Sequence, residues 1–117
     1  YEKVRHALGK YGFVMAHFSH AYPDGGSIYF TFAGTAKTRE GAIEAYDSAW
    51  RDALDAVTSA GGTFSHHHGV GRSKALAMSS EHGASLEVLH GLKRRFDPHD
   101  VLNPGSLLPT TGKRHAS

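Results

Sequence analysis

Three consecutive histidines, His66, His67 and His68, stand between glycines in the stretch 61–74 and form the densest group of titratable side chains in the chain. An imidazole titrates near neutral pH, passes protons in either direction and binds metal ions when neutral. The flanking glycines permit backbone angles and close approaches that a Cβ would prevent. On an extended backbone His66 and His68 would share one side, so at least one of the three rings would face the interior or a ligand. The pattern favours a functional loop over a histidine-rich surface loop without a role.

A tyrosine on a strand is the second candidate. In the segment 27–33 the side chains of Ile28, Phe30 and Phe32 form one apolar face, which leaves Tyr29 on the other face. The simpler interpretation is a tyrosine that covers the solvent side of a half-open sheet. The alternative is a phenol presented to a reaction site. Phenols generally have a pKa of about 10, so a tyrosine base needs cations or hydrogen-bond donors beside it.

Two cations follow the histidines, and they suggest anion contacts. Arg72 and Lys74 could bind a phosphate or carboxylate, although cations after a loop are more often only solvated. A metal-binding module built on His66 and His68 is a weaker alternative, because no cysteine and no evident carboxylate completes a tetrahedral set. We therefore expect no metal site.

The elements that would position these residues follow from periodicity and turn residues. The long helix should bury Ile43, Tyr46, Trp50 and the later apolar positions, and the last helix should present Leu86, Leu89, Leu92 and Phe96 on one face. The first predicted elements are a helix at 1–8, strands at 13–20 and 27–33 around a turn at 23–26, and a helix at 39–60 capped by Thr38 or Thr35. A short strand at 63–65 and a weak helix at 72–79 follow. The last are a helix from 85 that ends at 97–98, a turn at 103–105 and a frayed end at 110–117. This order predicts an α+β fold: a small, partly antiparallel sheet with helices on one face and a helical C-terminal tail.

Composition narrows the functional classes. The 117 residues fit one domain, and no stretch approaches the ~20 apolar residues of a membrane span, so membrane contact would be peripheral only. No cysteine is present, which suits a reducing compartment such as the cytoplasm. The formal charge of +2 is scattered without a basic stripe, so we expect no nucleic-acid partner. The start at Tyr1, with neither an initiator Met nor a signal peptide, suggests a piece of a longer protein.

Three motifs together resemble a known family. They are Ser-Ile-Tyr-Phe-Thr-Phe at 27–32, Gly-Gly-Thr-Phe-Ser-His-His-His-Gly-Val-Gly-Arg-Ser-Lys at 61–74, and Phe-Asp-Pro-His-Asp-Val-Leu-Asn-Pro-Gly-Ser-Leu-Leu at 96–108. The chain resembles the C-terminal end of the FAD-linked oxidases of the vanillyl-alcohol-oxidase superfamily, most closely the alkyldihydroxyacetonephosphate synthases. The resemblance implies a ferredoxin-like cap portion in residues 1–80, with 81–117 as a helix and tail that pack on a separate FAD-binding domain.

The resemblance also implies a reaction and a set of site residues. A fatty alcohol would replace the acyl chain of acyl-dihydroxyacetone phosphate in ether-lipid synthesis, with FAD as cofactor and no net redox change. Tyr29, His66, His67 and His68 would be catalytic. The cofactor contacts would be His67, His68 and Asn103, and Arg72 would bind substrate.

An oxidoreductase is the alternative within the same architecture. Related D-lactate and glycolate dehydrogenases usually carry Gly-Glu-His-Gly-Ile-Gly in the comparable loop. Here His67 stands where that glutamate would be, and His68 keeps the shared histidine, which favours the synthase reaction over oxidation of a hydroxyacid. The chain has no glycine-rich phosphate-binding loop, so by itself it should neither catalyse nor bind FAD tightly. A homodimer and a non-enzymatic interaction domain remain open.

Overall fold

The computed structural model describes residues 1–63 and 65–109. The chain forms two compact units, Tyr1–His66 and a second unit that begins at His67. The first contains α1 (Glu2–Gly9), β1 (Phe13–Tyr22), β2 (Gly25–Ala33) and α2 (Arg39–Ser59). The second contains a single 3-10 turn (Ala75–Ala77), α3 (Met78–His82) and α4 (Ser85–Phe96). The predicted α+β class is confirmed.

The core of the first unit lies between α1, α2 and one face of the β1–β2 hairpin. Val4 and Leu8 of α1 pack with Ala49 of α2, and all three are buried. From the sheet, Val14, Phe30 and Phe32 pack against this cluster. The predicted apolar face of β2 therefore faces the helices, as its alternation indicates.

A polar junction ties the end of α1 to α2. The hydroxyl of Tyr11 donates to Asp52 Oδ2 at 2.6 Å, and Lys10 Nζ lies 2.6 Å from the same oxygen. Lys10 first, and then Tyr11, lowers the pKa of Asp52. The hydrogen bond to Asp52 in turn raises the pKa of Tyr11.

One extra residue sits in β1 and sets the register of the hairpin. From Phe13 opposite Ala33 the pairing runs regularly to Ser19 opposite Ser27, and it resumes with Ala21 opposite Gly26. The extra residue is His20, which has a left-handed φ of 54°. This is a β-bulge, in which two residues of one strand oppose a single residue of the other.

Several details differ from the expectations. Ile43 and Tyr46 are 52% and 53% exposed, so part of the predicted apolar face of α2 is left uncovered by the described residues. Leu92 and Phe96 of α4 are 50% and 78% exposed. No strand exists at Thr63 or Ser65, and the sheet of the described residues has two strands.

Other local predictions are confirmed. Thr38 caps α2 by accepting from the Gly41 N–H at 3.1 Å, and α4 ends at Phe96, directly before Asp97 and Pro98. The predicted tail at 110–117, like Phe64 of the predicted short strand, lies outside the described residues. The predicted division after residue 80, with residues 81–117 packing on a separate FAD-binding domain, stays a prediction. Within the described chain, every helix is too short or too polar to pass through a bilayer.

Candidate functional site

Tyr29 lies on the sheet face that points away from the helices. Its cross-strand partner is His17, and the centroids of the two rings are 6.4 Å apart. Paired residues of antiparallel strands project to the same side, so the phenol and the imidazole share this outer face. Tyr29 is 38% exposed. A tyrosine with an imidazole neighbour on a rigid strand can exchange a proton with a bound molecule.

The bulge decides which β1 residues share that face. A hairpin with the same turn at Pro23 and Asp24 and no bulge would oppose His17 to Phe30 and so direct His17 to the helix side. With His20 as the extra residue, His17 opposes Tyr29 instead. Beyond the bulge the alternation is shifted by one, which brings Tyr22, opposite Gly25, to the face of Tyr29.

His66 joins this face of the first unit through Tyr22. The Tyr22 hydroxyl oxygen lies 2.9 Å from His66 Nε2, and the ring centroids are 5.8 Å apart. The His20 ring is 5.4 Å from the His66 ring and stacks on Tyr22 at 6.3 Å. The predicted Tyr29 and the predicted His66 thus belong to the same compact unit. His17, His20 and Tyr22 were not among the residues predicted from the sequence.

Tyr22 and Tyr29 occupy different rows of the outer face. Tyr22 opposes Gly25, four residues from Tyr29 on β2. At ~3.3 Å per residue this separates the two backbone rows by about 13 Å. A molecule that touches both hydroxyls would therefore have to span several bonds.

The remaining predicted site residues belong to the second unit. The backbone bends at residues 66–68 instead of running extended, so the expected alternation of the three rings is wrong. The rings of His67 and His68 lie 4.2 Å apart, and all three histidines are exposed, so none is buried in the core. The physical reason is the glycines that follow: Gly69 and Gly71 have φ values of 79° and 60°.

The third sequence motif pairs with the end of the histidine loop. The Leu107 N–H donates to the Gly71 carbonyl at 3.0 Å, which joins the segment 103–107 to the Gly-Val-Gly of the second motif. Asn103 is exposed and has a left-handed φ of 48°. The arrangement brings the exposed amide onto the same compact unit as His67 and His68.

A buried carboxylate organises the approach to Asn103. Asp97 is 6% exposed and accepts from the backbone N–H groups of Val101 and Leu102 at 3.0 and 2.9 Å. Lys93 donates to Asp97 and to the Leu102 carbonyl, the latter at 2.6 Å, and its Nζ lies 3.0 Å from Asp100. We call this group of five residues the Asp97 clasp. The ammonium of Lys93 and then the two N–H donors lower the pKa of Asp97 to about 2.

The two predicted anion contacts lie just after the histidine loop. Arg72 is exposed and Lys74 is half-buried, and both are in the turn that precedes the 3-10 segment. An exposed guanidinium can bind a phosphate or carboxylate through two parallel hydrogen bonds.

The predicted site residues could in principle hold a metal ion or border a flavin. Among residues 1–63 and 65–109, no cluster of three or more His, Asp or Glu side chains has the arrangement of a metal site. For FAD, the exposed His67, His68 and Asn103 offer ring N–H and amide donors, which suit the polar edge of a flavin. Exposed side chains of this kind can border a flavin held by other residues.

Comparison with known proteins identifies the family. Residues 1–107 match the model of the C-terminal domain of FAD linked oxidases. The chain is 35% identical over 98 residues to an alkyldihydroxyacetonephosphate synthase of Dictyostelium discoideum, covering 83% of this chain and 16% of the relative. It is 30% identical over 96 residues to the uncharacterized FAD-linked oxidoreductase YgcU of Escherichia coli, covering 80% of this chain and 20% of the relative.

A third relative covers a shorter stretch. The glycolate oxidase subunit GlcD of Escherichia coli is 36% identical over 58 residues, which is 49% of this chain and 12% of that protein. The chain thus spans no more than a fifth of the length of these three relatives. No solved structure gives a significant match. The matched domain and the relatives together establish that this chain belongs to the FAD-linked oxidase family and carries its C-terminal domain.

Proposed function

We propose that the chain forms the substrate side of an FAD-dependent alkylglycerone-phosphate synthase. The reaction would exchange the acyl chain of acyl-dihydroxyacetone phosphate for a fatty alcohol. The observation that carries this proposal is the placement of Tyr29, which stands on the outer sheet face with the imidazole of His17 across the strand. The similarity to alkyldihydroxyacetonephosphate synthases over 80% or more of the chain supports it.

The role of Tyr29 follows from the chemistry of the exchange. The carbon that carries the acyl ester lies next to a ketone, and its proton must be removed and later returned. Tyr29 takes that proton and gives it back, the acyl group leaves as a carboxylate, and the alcohol oxygen forms the new C–O bond after losing its own proton to a base. FAD, when bound, supplies reversible electron-pair donation and acceptance at the substrate carbon with no net redox change.

The histidines and Arg72 would stabilise negative charge on the substrate and hold it in place. The imidazole N–H groups at positions 66–68 stabilise negative charge that develops on the substrate oxygen. Arg72 binds the phosphate of the substrate. The donors of His67, His68 and Asn103 border the flavin.

A flavin-dependent oxidation of a hydroxyacid or other alcohol is the second candidate. Its support is the similarity to YgcU and to the glycolate oxidase subunit GlcD. The same outer face would serve it, because removal of an alcohol or α-proton also needs a base beside the flavin.

The test uses the full-length FAD-loaded protein that contains this chain. Release of fatty acid and formation of an ether from acyl-dihydroxyacetone phosphate supports the transferase, whereas bleaching of the flavin by lactate or glycolate supports the oxidase. Tyr29→Phe should lower kcat by roughly 10²- to 10⁴-fold, the usual contribution of a positioned acid or base. Tyr46→Phe, at a half-exposed tyrosine of α2, is the matched control. Normal turnover of Tyr29→Phe in both assays would refute the assignment of Tyr29.

A further inference from the structure

The bulge in β1 creates a contact that regular alternation would not allow. By period 2, Tyr22 would project to the helix side together with Val14 and Phe18. The extra residue His20 reverses the alternation, so Tyr22 projects to the outer face and its hydroxyl reaches His66 Nε2 at 2.9 Å. A strand irregularity of this kind commonly re-aims a side chain beside a functional site.

We propose that Tyr22 is a positioning residue that fixes the tautomer and orientation of His66. A hydroxyl can donate or accept, and we infer that the Tyr22 hydroxyl donates to Nε2, so that in the neutral ring the proton resides on Nδ1. The nitrogen that carries the proton in a histidine is set by the hydrogen bond that the other nitrogen makes. An Nδ1–H group of His66 would suit an oxygen atom that gains negative charge, such as a substrate carbonyl or phosphate oxygen.

The surroundings of His66 in the first unit support a fixed ring. Its centroid lies 5.8 Å from Tyr22 and 5.4 Å from His20, so two rings border it in addition to the hydrogen bond. Stacking of His20 on Tyr22, with planes 14° apart, limits the rotation of the phenol. The role of the Nδ1–H group toward substrate rests on the proposed function, but the tautomer is a property of the chain that does not depend on which reaction is catalysed.

The test is the side-chain nitrogen spectrum of the ¹⁵N-labelled chain, in which the two-bond ¹H–¹⁵N correlations of each histidine report its tautomer. We expect His66 as the Nδ1–H tautomer. Tyr22→Phe should shift its tautomer ratio toward Nε2–H by roughly fivefold, the factor that one ordinary net hydrogen bond supports. Tyr46→Phe, at a tyrosine whose exposed fraction is similar to that of Tyr22, should leave the His66 signals in place. An Nε2–H tautomer in the wild type, or no shift in Tyr22→Phe, would overturn the proposal.

Two variants at His20 separate the bulge from the imidazole. Glycine tolerates a φ of 54°, so His20→Gly should keep the bulge and the Nδ1–H tautomer of His66. Valine disfavours that φ, so His20→Val should lose the tautomer while the amide spectrum of α1 and α2 is retained. Equal spectra for the two variants would show that the bulge does not position Tyr22. None of these measurements depends on turnover. The assignment of the His66 tautomer can therefore fail while the proposed reaction is correct, and the proposed reaction can fail while the tautomer assignment is correct.

Discussion

The Asp97 clasp and the Tyr22–His66 pair both depend on side-chain hydrogen bonds, but they differ in how far apart their partners lie in the sequence. In the clasp, the partners of each contact are at most nine residues apart. Tyr22 and His66 are 44 residues apart and exposed. The clasp shapes one continuous segment and excludes water from its carboxylate. The Tyr22–His66 pair depends on the register of a hairpin and on the path of the chain after α2. The Asp97 clasp should therefore contribute mainly to the stability of the fold, and the Tyr22–His66 pair mainly to the geometry of a site.

The largest effect should come from removing the carboxylate of the clasp. Asp97→Ala leaves the N–H groups of Val101 and Leu102 without their acceptor and removes one of the partners of the Lys93 ammonium. We expect the midpoint of thermal unfolding to fall by roughly 5 °C or more, measured by circular dichroism.

The matched control for that experiment is Asp100→Ala, because Asp100 also contacts Lys93 but its side chain is 48% exposed. It should change the midpoint by less than half as much. Equal losses in the two variants would show that the charge of Lys93, and not the burial of Asp97, governs the clasp.

Acid should weaken the clasp within a defined pH window. The pKa of Asp97 is about 2 in the folded chain against an ordinary 3.8, so its stabilising contribution is complete above about pH 5 and is lost as the pH falls toward 2. Urea unfolding from pH 6 to pH 2.5 should show the wild type losing more stability than Asp97→Asn over this window. Parallel curves for the two proteins would contradict the assignment.

Asp52 is intermediate between the Asp97 clasp and the Tyr22–His66 pair. Its hydrogen bond with Tyr11 joins positions 41 residues apart, as in the pair, but its acceptor is a carboxylate, as in the clasp. Asp52→Asn should lower the raised pKa of Tyr11 toward the ordinary value, because the carboxylate that raises it is gone. Absorbance at the phenolate band during alkaline titration measures this, with Tyr11→Phe to assign the signal. Asp47→Asn on the same helix should leave the titration unchanged; an equal shift there would indicate a general charge effect.

The smallest effect on stability should come from Tyr22→Phe. The contact is exposed, so its loss should change the free energy of unfolding by about 1 kcal/mol or less. Urea unfolding measures this directly. If Tyr22→Phe lost as much stability as Asp97→Ala, the Tyr22–His66 contact would stabilise the fold as the clasp does, and the proposed difference between the two would be wrong.

The sequence predicted those features that depend on a few neighbouring residues. The alternation at 27–33 gave the outward direction of Tyr29, Thr38 marked the start of α2, and Asp97–Pro98 marked the end of α4. These predictions hold because strand period, capping and helix termination are local properties. The burial predicted for Tyr46 was wrong, because periodicity identifies a face but not how much of that face another element covers.

By itself, then, the sequence determined the order of the elements, the outward face of Tyr29 and the chemistry available in the histidine run. Only the tertiary structure decided that His17 opposes Tyr29 and that Tyr22 meets His66. The physical reason is the two-residue period of a strand: a single extra residue at His20 exchanges the faces of everything beyond it. Both faces of β1 carry a mixture of apolar and polar residues, so its sequence does not specify which register it takes against β2.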